Sequence, residues 1–98
     1  MAREPRERPM RLAAKLLQIR QALDLSQTEL LERLGLADKY AYTIMSRNER
    51  GTREPTLLEL LAYARLANIY LEVLVDDLLD LPPRLPSPEK SAGVKRKK

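Results

Sequence analysis

The chain has 98 residues, a formal net charge of +4, and neither cysteine nor histidine. This length accommodates one domain with a modest core. The missing cysteine and histidine exclude disulfides, thiol catalysis and the common zinc sites. The sequence also lacks an apolar run typical of a secretion signal or a membrane span, so we expect a cytoplasmic protein with no membrane partner.

Charge and proline content distinguish both ends of the chain from its middle. Residues 1–9 combine arginine, glutamate and two prolines, and residues 82–98 are rich first in proline and then in lysine. We expect these segments to be flexible basic arms on a domain that spans residues 10–81. The arms either add non-specific affinity for phosphate or only keep the protein soluble.

The first segment of the domain, residues 10–23, has apolar residues at helical spacing and is predicted to form a helix. Its apolar positions are Leu12, Leu16, Ile19 and Leu23. A second helix is predicted from Ser26 to about Leu34, because Ser26 and Glu29 have the spacing of a capping box. Gly35 ends it, since glycine readily adopts the left-handed conformation.

The third helix, which ends at Gly51, differs from an ordinary surface helix in its outward side. In place of mixed lysine and glutamate, that side carries Tyr42, Thr43, Ser46 and Arg47. A helix fits the major groove of DNA, where base edges offer hydrogen-bond donors, acceptors and thymine methyl groups. The hydroxyl, phenol and guanidinium groups therefore predict a helix that contacts DNA bases.

Two more helices are predicted after residue 55. Thr56 and Glu59 form a second capping-box pattern, and the helix that follows is apolar nearly all round, ending at Asn68. A last helix is predicted over 70–80, with its three aspartates, Asp76, Asp77 and Asp80, facing solvent. The fold class is thus all-α, with five helices and no strands.

The apolar excess of the fourth and fifth helices predicts an interface with a second copy of the chain. Four apolar side chains on these helices are the candidates for contacts in a dimer: Leu58, Leu66, Val73 and Leu79.

An ordered set of short motifs runs through the middle of the chain: Leu25-Ser26-Gln27, Leu30, Leu34-Gly35, Ser46, Glu49, Gly51, Arg53 and Pro55. This pattern resembles that of the lambda-repressor-like (Cro/cI, XRE) helix-turn-helix family over roughly residues 11–79. The resemblance implies a compact five-helix domain of lambda-repressor-like type that binds double-stranded DNA.

The resemblance also implies roles for individual residues. The base-reading positions are Tyr42, Thr43 and Arg47. The positions that face the DNA backbone or the edge of the site are Gln27, Ser46, Arg50 and Arg53. A partly buried structural ion pair joins the first helix to the end of the third, and its members are Arg20 and Glu49.

The chain departs from the family pattern in two places. It has about four extra residues between Gly35 and Glu49, which predicts a longer turn before the third helix. The register of that helix is therefore counted from Met45 and Glu49. Asn48 occupies an inward position where an apolar residue is typical, so it either finds a hydrogen bond or is exposed at a frayed helix end.

Each of these polar residues also has a purely structural interpretation. Gln27 suits the first turn of a helix, and Tyr42 is alternatively a core residue with its hydroxyl at the surface. Arg50 and Arg53 border a glycine turn, where cations offset the partial charge of helix-end carbonyls.

The pattern and the resemblance together predict sequence-specific duplex DNA binding and transcriptional regulation, with repression preferred over activation. The protein is expected to act as a homodimer on a near-palindromic operator and to associate with the nucleoid when bound. The sequence has neither a nucleophile–base pair nor a glycine-rich phosphate loop, so we expect no enzymatic activity, cofactor or metal.

Two alternatives come from other classes of protein. The first is an antitoxin that binds both DNA and a toxin partner. The second is a protein-interaction module that keeps the helix-turn-helix fold without DNA binding, an option that the extended turn leaves open.

Overall fold

The computed structural model describes residues 7–96 as a mostly helical domain with a small antiparallel sheet. Four basic residues of the predicted arms, Arg3, Arg6, Lys97 and Lys98, lie outside this range. The elements are α1 (Leu12–Ala22), α2 (Gln27–Arg33), α3 (Thr43–Arg50), α4 (Leu57–Ala67), α5 (Glu72–Val75), β1 (Leu79–Asp80) and β2 (Val94–Lys95). No helix in the described part is both long and apolar enough to cross a membrane.

Local hydrogen bonds fix the starts of α2 and α4. The Ser26 hydroxyl accepts the amide of Glu29 at 3.0 Å, and the Glu29 carboxylate accepts the amide of Ser26 at 2.9 Å. Thr56 and Glu59 form the same reciprocal pair. Both predicted capping boxes are confirmed, and Gly51 ends α3 with a φ of 77°.

The core is built mainly from aliphatic side chains of the first four helices. α1 packs against α3 and α5, and α2 packs against α3. Leu16, Ile19 and Met45 are completely buried, as is Tyr63, whose hydroxyl lies 3.5 Å from the Met45 sulfur. Burial raises the pKa of Tyr63 to about 12. The phenol therefore acts as a neutral core residue at ordinary pH.

The predicted helix over 70–80 is wrong beyond Val75, because a lysine from α1 binds the backbone carbonyls at its end. Lys15 is buried, and its ammonium donates to the carbonyls of Val73 at 2.7 Å and Asp76 at 2.9 Å. A buried cation needs such partners, and helix-end carbonyls are available to supply them. Burial lowers the pKa of Lys15, and Asp76 adopts an extended conformation that stops the helix.

Two of the three aspartates predicted to face solvent, Asp77 and Asp80, instead bind the segment just before α1. The Asp77 carboxylate accepts the amides of Met10 at 2.9 Å and Arg11 at 3.0 Å, 66 residues away in the latter case. These hydrogen bonds lower the pKa of Asp77. Arg11 in turn donates to the Asp80 carboxylate and to the carbonyl of Leu79. Asp77 thus caps the start of α1 from a distant segment.

The prediction of a strand-free chain with a flexible arm after residue 81 is wrong for residues 82–96. The segment crosses the end of α4, where the Ser87 amide donates to Ala67 and the Tyr70 amide donates to Ser91. It then forms β2, with Leu79 opposite Lys95 and Asp80 opposite Val94. These backbone hydrogen bonds hold the segment against the domain, so the segment is neither helical nor disordered.

The return of the chain depends on a close approach at Gly93. A side chain there would place its Cβ 2.8 Å from the Asp80 carbonyl oxygen and about 3.1 Å from Val73. The φ of Gly93 is 78°, a conformation that other residues rarely adopt. Glycine at this position therefore lets residues 82–96 cover α5.

Candidate nucleic-acid interface

Of the three side chains predicted to read bases, Thr43 and Arg47 lie on the outward side of α3, and Tyr42 immediately precedes the helix. Tyr42 is 54% exposed, and Thr43 and Arg47 are also exposed. The interpretation of Tyr42 as a core tyrosine is wrong, because its ring lies at the surface. Thr43, Arg47 and Arg50 follow one another at helical spacing, so they share one side of the helix.

The inward side of α3 is apolar except near its end. Ile44 and Met45 are buried, and Asn48 is only 1% exposed. The side-chain oxygen of Asn48 accepts a hydrogen bond from Arg53 at 3.0 Å. Of the two alternatives for Asn48, the structure therefore shows the hydrogen-bonded one.

The cations on the outward side of α3 are not neutralised within residues 7–96. Neither Arg47 nor Arg50 forms an ion pair with a described acidic residue. Arg50 donates a 3.4 Å hydrogen bond to the carbonyl of Ser46. Arg50 is exposed, whereas Ser46 is half-buried. Lys39, in the turn before α3, is exposed as well. This surface can therefore approach an anion without first breaking a salt bridge.

The Arg20–Glu49 ion pair implied by the resemblance is present. Two guanidinium nitrogens of Arg20 donate to the two carboxylate oxygens of Glu49, at 2.8 and 3.0 Å. Arg20 also donates to the Leu25 carbonyl at 3.0 Å, and its hydrogen bond to Glu49 raises the pKa of the guanidinium. The Glu49 side chain is 5% exposed. The pair therefore fastens the end of α3 to α1 and to the start of α2.

Gln27 belongs to the same cluster. Its side-chain nitrogen donates to Glu49 at 3.3 Å, and the residue is half-buried. Part of its hydrogen-bonding capacity is thus used inside the domain rather than at the surface.

Arg53, predicted to contact the DNA backbone, is partly buried and is hydrogen-bonded within the domain. Its guanidinium donates to both carboxylate oxygens of Glu59, at 2.8 and 3.0 Å, and to Asn48. It also lies 5.2 Å from the centre of the Tyr40 ring. The Arg53 side chain is 22% exposed. Because these bonds occupy the guanidinium, we exclude Arg53 from the DNA-facing set.

The structure divides the four dimer candidates. Leu58 is 77% exposed, Leu66 and Leu79 are half-buried, and Val73 is completely buried. Val73 as a dimer contact is therefore wrong, because the segment around Gly93 covers it within the same chain. At the start of α4, Leu57 is 70% exposed beside Leu58.

Two cations, Lys15 and Arg53, have partners within the domain that the sequence analysis did not predict. Lys15 occupies the apolar stripe between Leu12 and Ile19, which is a signal of burial that the sequence does contain. Arg53 shows no such signal, since its distance from Glu59 matches no local pattern. Among residues 7–96, no group of three acidic side chains is arranged to hold a metal ion.

Comparison of the chain with models of protein families, with curated proteins and with solved structures finds no match.

Proposed function

We propose that the protein is a helix-turn-helix DNA-binding protein of lambda-repressor-like type and that α3 is its recognition helix. The observation that carries this proposal is the contrast across α3. Its outward side presents exposed hydrogen-bonding and cationic groups, whereas its inward side is anchored by Asn48 and Glu49. A rigid helix with such a surface suits the major groove.

In this proposal, base reading is divided among three side chains. Arg47 forks onto the O6 and N7 atoms of a guanine, which is the commonest specific contact between proteins and DNA. Thr43 donates or accepts at a neighbouring base edge. Tyr42, at the start of α3, packs its exposed ring against a thymine methyl group.

Contacts to the DNA backbone then come from Arg50, at the end of α3, and from the edge residues Gln27 and Ser46. Such contacts fix the position of the protein on the duplex and contribute affinity that depends on salt. Arg53 is not among them, for the reason given above.

The protein acts as a homodimer that regulates transcription as a repressor. It is cytoplasmic and associates with the nucleoid when bound to DNA. Two copies place their recognition helices about 34 Å apart, one turn of DNA, so the operator is a near-palindrome. The exposed Leu57 and Leu58 on α4 supply apolar surface for the contact between copies.

The proposal is tested by selecting bound duplexes from a random DNA library with the full chain. We expect enrichment of a near-palindromic sequence. The selected duplex is then titrated with the parent, with Arg47→Ala and with Arg65→Ala, which removes an equally charged, exposed arginine from α4. We expect Arg47→Ala alone to weaken binding. The proposal is overturned if no sequence is enriched at low salt.

A second candidate, an antitoxin, is favoured by the same exposed Leu57 and Leu58. In that case the apolar start of α4 binds a different protein rather than a second copy. Sedimentation of the parent chain and of Leu58→Lys discriminates between the two candidates. A parent dimer that becomes a monomer in Leu58→Lys favours the homodimer. If the parent and the variant are both monomers, a separate partner is favoured.

A further inference from the structure

Arg53 connects three parts of the molecule that meet around α3. Its guanidinium contacts Asn48 in the last turn of α3, Glu59 at the start of α4, and the ring of Tyr40 in the turn that precedes α3. One side chain thus touches segments on both sides of the helix in sequence.

We infer that Arg53 is a positioning residue, which sets the orientation of α3 and of the preceding turn and thereby determines how sharply the exposed side chains of α3 discriminate between bases. This inference rests on the proposed function and goes beyond it, because it assigns specificity to a residue that does not touch DNA.

The anchor of this arrangement is α4. Glu59 is 4% exposed in its side chain and accepts hydrogen bonds from the amide of Thr56 as well as from Arg53. The neighbouring Leu60 and Tyr63 lie in the core. Glu59 is therefore a fixed acceptor, and Arg53 transmits its position to α3.

The geometry requires a guanidinium. Arg53 satisfies both oxygens of Glu59 and the oxygen of Asn48 at 2.8 to 3.0 Å, while its central guanidinium carbon lies 5.2 Å from the centre of the Tyr40 ring. Arginine has five donors in a planar fork, whereas lysine has a single ammonium that cannot reproduce the bidentate bond and the ring contact together. Lysine would preserve the charge and lose the geometry.

Tyr40 links the cluster to base reading. It is half-buried and lies two residues before Tyr42, the residue that precedes the first turn of α3. A shift of Tyr40 therefore moves the backbone that carries Tyr42. The turn between α2 and α3 is long, so this contact limits the conformations that it can adopt.

The experiment compares Arg53→Lys with Arg65→Lys, at an exposed arginine of α4 outside the proposed interface, on the selected duplex and on its single-base variants. If Arg53 is a positioning residue, Arg53→Lys reduces discrimination between these duplexes by about 5- to 100-fold, and the salt dependence of binding does not change. Arg65→Lys should leave discrimination near that of the parent. A phosphate contact by Arg53 predicts instead that both lysine variants behave like the parent.

A second variant changes Glu59, the acceptor in the Arg53–Glu59 ion pair. Glu59→Gln removes the negative charge and one of the two acceptor oxygens that bind Arg53, without altering any residue on the outward side of α3. We expect it to reproduce the loss of discrimination, measured at a temperature at which circular dichroism shows the variant folded. If Glu59→Gln lowers only the melting temperature and leaves discrimination intact, Arg53 is structural and the inference is overturned.

Tyr40→Leu covers the case in which both variants fail to fold. It keeps apolar packing and removes the ring contact with Arg53 together with the hydroxyl that interacts with Arg53 and Glu59, so we expect loss of discrimination confined to the base position read by Tyr42. Full discrimination in Tyr40→Leu would overturn the inference in that case. A parent chain that selects no DNA sequence refutes the proposed function itself, which is a distinct outcome.

Discussion

The polar and charged side chains on the two sides of α3 differ in burial and pairing. On the inward side, Glu49 and Asn48 are buried and bonded to Arg20 and Arg53, which hold the helix against α1 and α4. On the outward side, Arg47 is exposed and forms no ion pair with the described acidic residues.

This difference separates the side chains that stabilise the fold from those that we propose bind DNA, within one eight-residue helix. A buried, hydrogen-bonded charge leaves an uncompensated partner when it is removed, so its loss is costly to the fold. An exposed, unpaired charge costs the fold almost nothing and remains available to a partner. Substitutions on the two sides should therefore have separable effects, and the predictions below test that separation.

The largest expected effect comes from Glu49→Ala, on the inward side. It leaves the Arg20 guanidinium and the Gln27 amide without their acceptor, so we expect the free energy of unfolding to fall by about 3–5 kcal/mol. Urea denaturation followed by circular dichroism measures this change. Glu32→Ala, an exposed glutamate at the end of α2, is the control and should change stability by less than about 0.5 kcal/mol. Equal effects from the two variants would contradict the role of the pair.

The next effect comes from Arg47→Ala, on the outward side. We expect it to weaken binding to the preferred duplex by about 1–3 kcal/mol and to relax the preference at one base position. Its free energy of unfolding should stay within about 0.5 kcal/mol of the parent value, because the side chain is exposed. Fluorescence anisotropy and urea denaturation measure the two quantities. A large loss of stability would show that the two sides of α3 are not separable.

A smaller effect should appear in acid. Burial raises the pKa of Glu59, but the hydrogen bonds from Arg53 and the Thr56 amide outweigh it, and the pKa lies below the usual glutamate value. The unfolded state therefore binds the proton first, and the stabilisation present above the ordinary glutamate pKa is lost as pH falls through the folded-state pKa. Glu59→Gln should lower stability at neutral pH and less so in acid. Denaturation curves of the two proteins that differ equally at every pH would refute this.

The smallest effect is expected from Arg50→Ala. As a backbone contact in the proposed complex, it should weaken binding to all duplexes alike and reduce the slope of log affinity against log salt by about 0.9. Discrimination between duplexes should not change. A loss of affinity restricted to the selected sequence would move Arg50 into the base-reading set.

The helices from α1 to α4 were predictable because the interactions that define them are local. A capping box acts over three residues, so Ser26 and Thr56 reveal where α2 and α4 begin. The exposed position of Tyr42, Thr43 and Arg47 also follows from helical spacing. The Arg20–Glu49 pair was implied only by the family pattern, since 29 residues separate its members.

The segment after Asn68 shows where local rules stop. The apolar spacing over 70–80 is helical, yet α5 ends at Val75, where Lys15 binds the carbonyls of Val73 and Asp76 and Arg11 binds the Asp80 carboxylate. Residues 82–96 have a composition typical of a disordered tail, and backbone hydrogen bonds nevertheless hold them against α4 and α5. Both outcomes require partners that are distant in sequence.

By itself, the sequence determined the helical segments of the first two thirds of the chain and the polar outward side of α3, since spacing and caps act over a few residues. Apart from the Arg20–Glu49 pair, which the family pattern implied, only the tertiary structure decided which cations are paired. Lys15 and Arg53 are used inside the domain, whereas Arg47 is exposed, because the partners of a charge and its burial depend on segments that meet only in the folded chain.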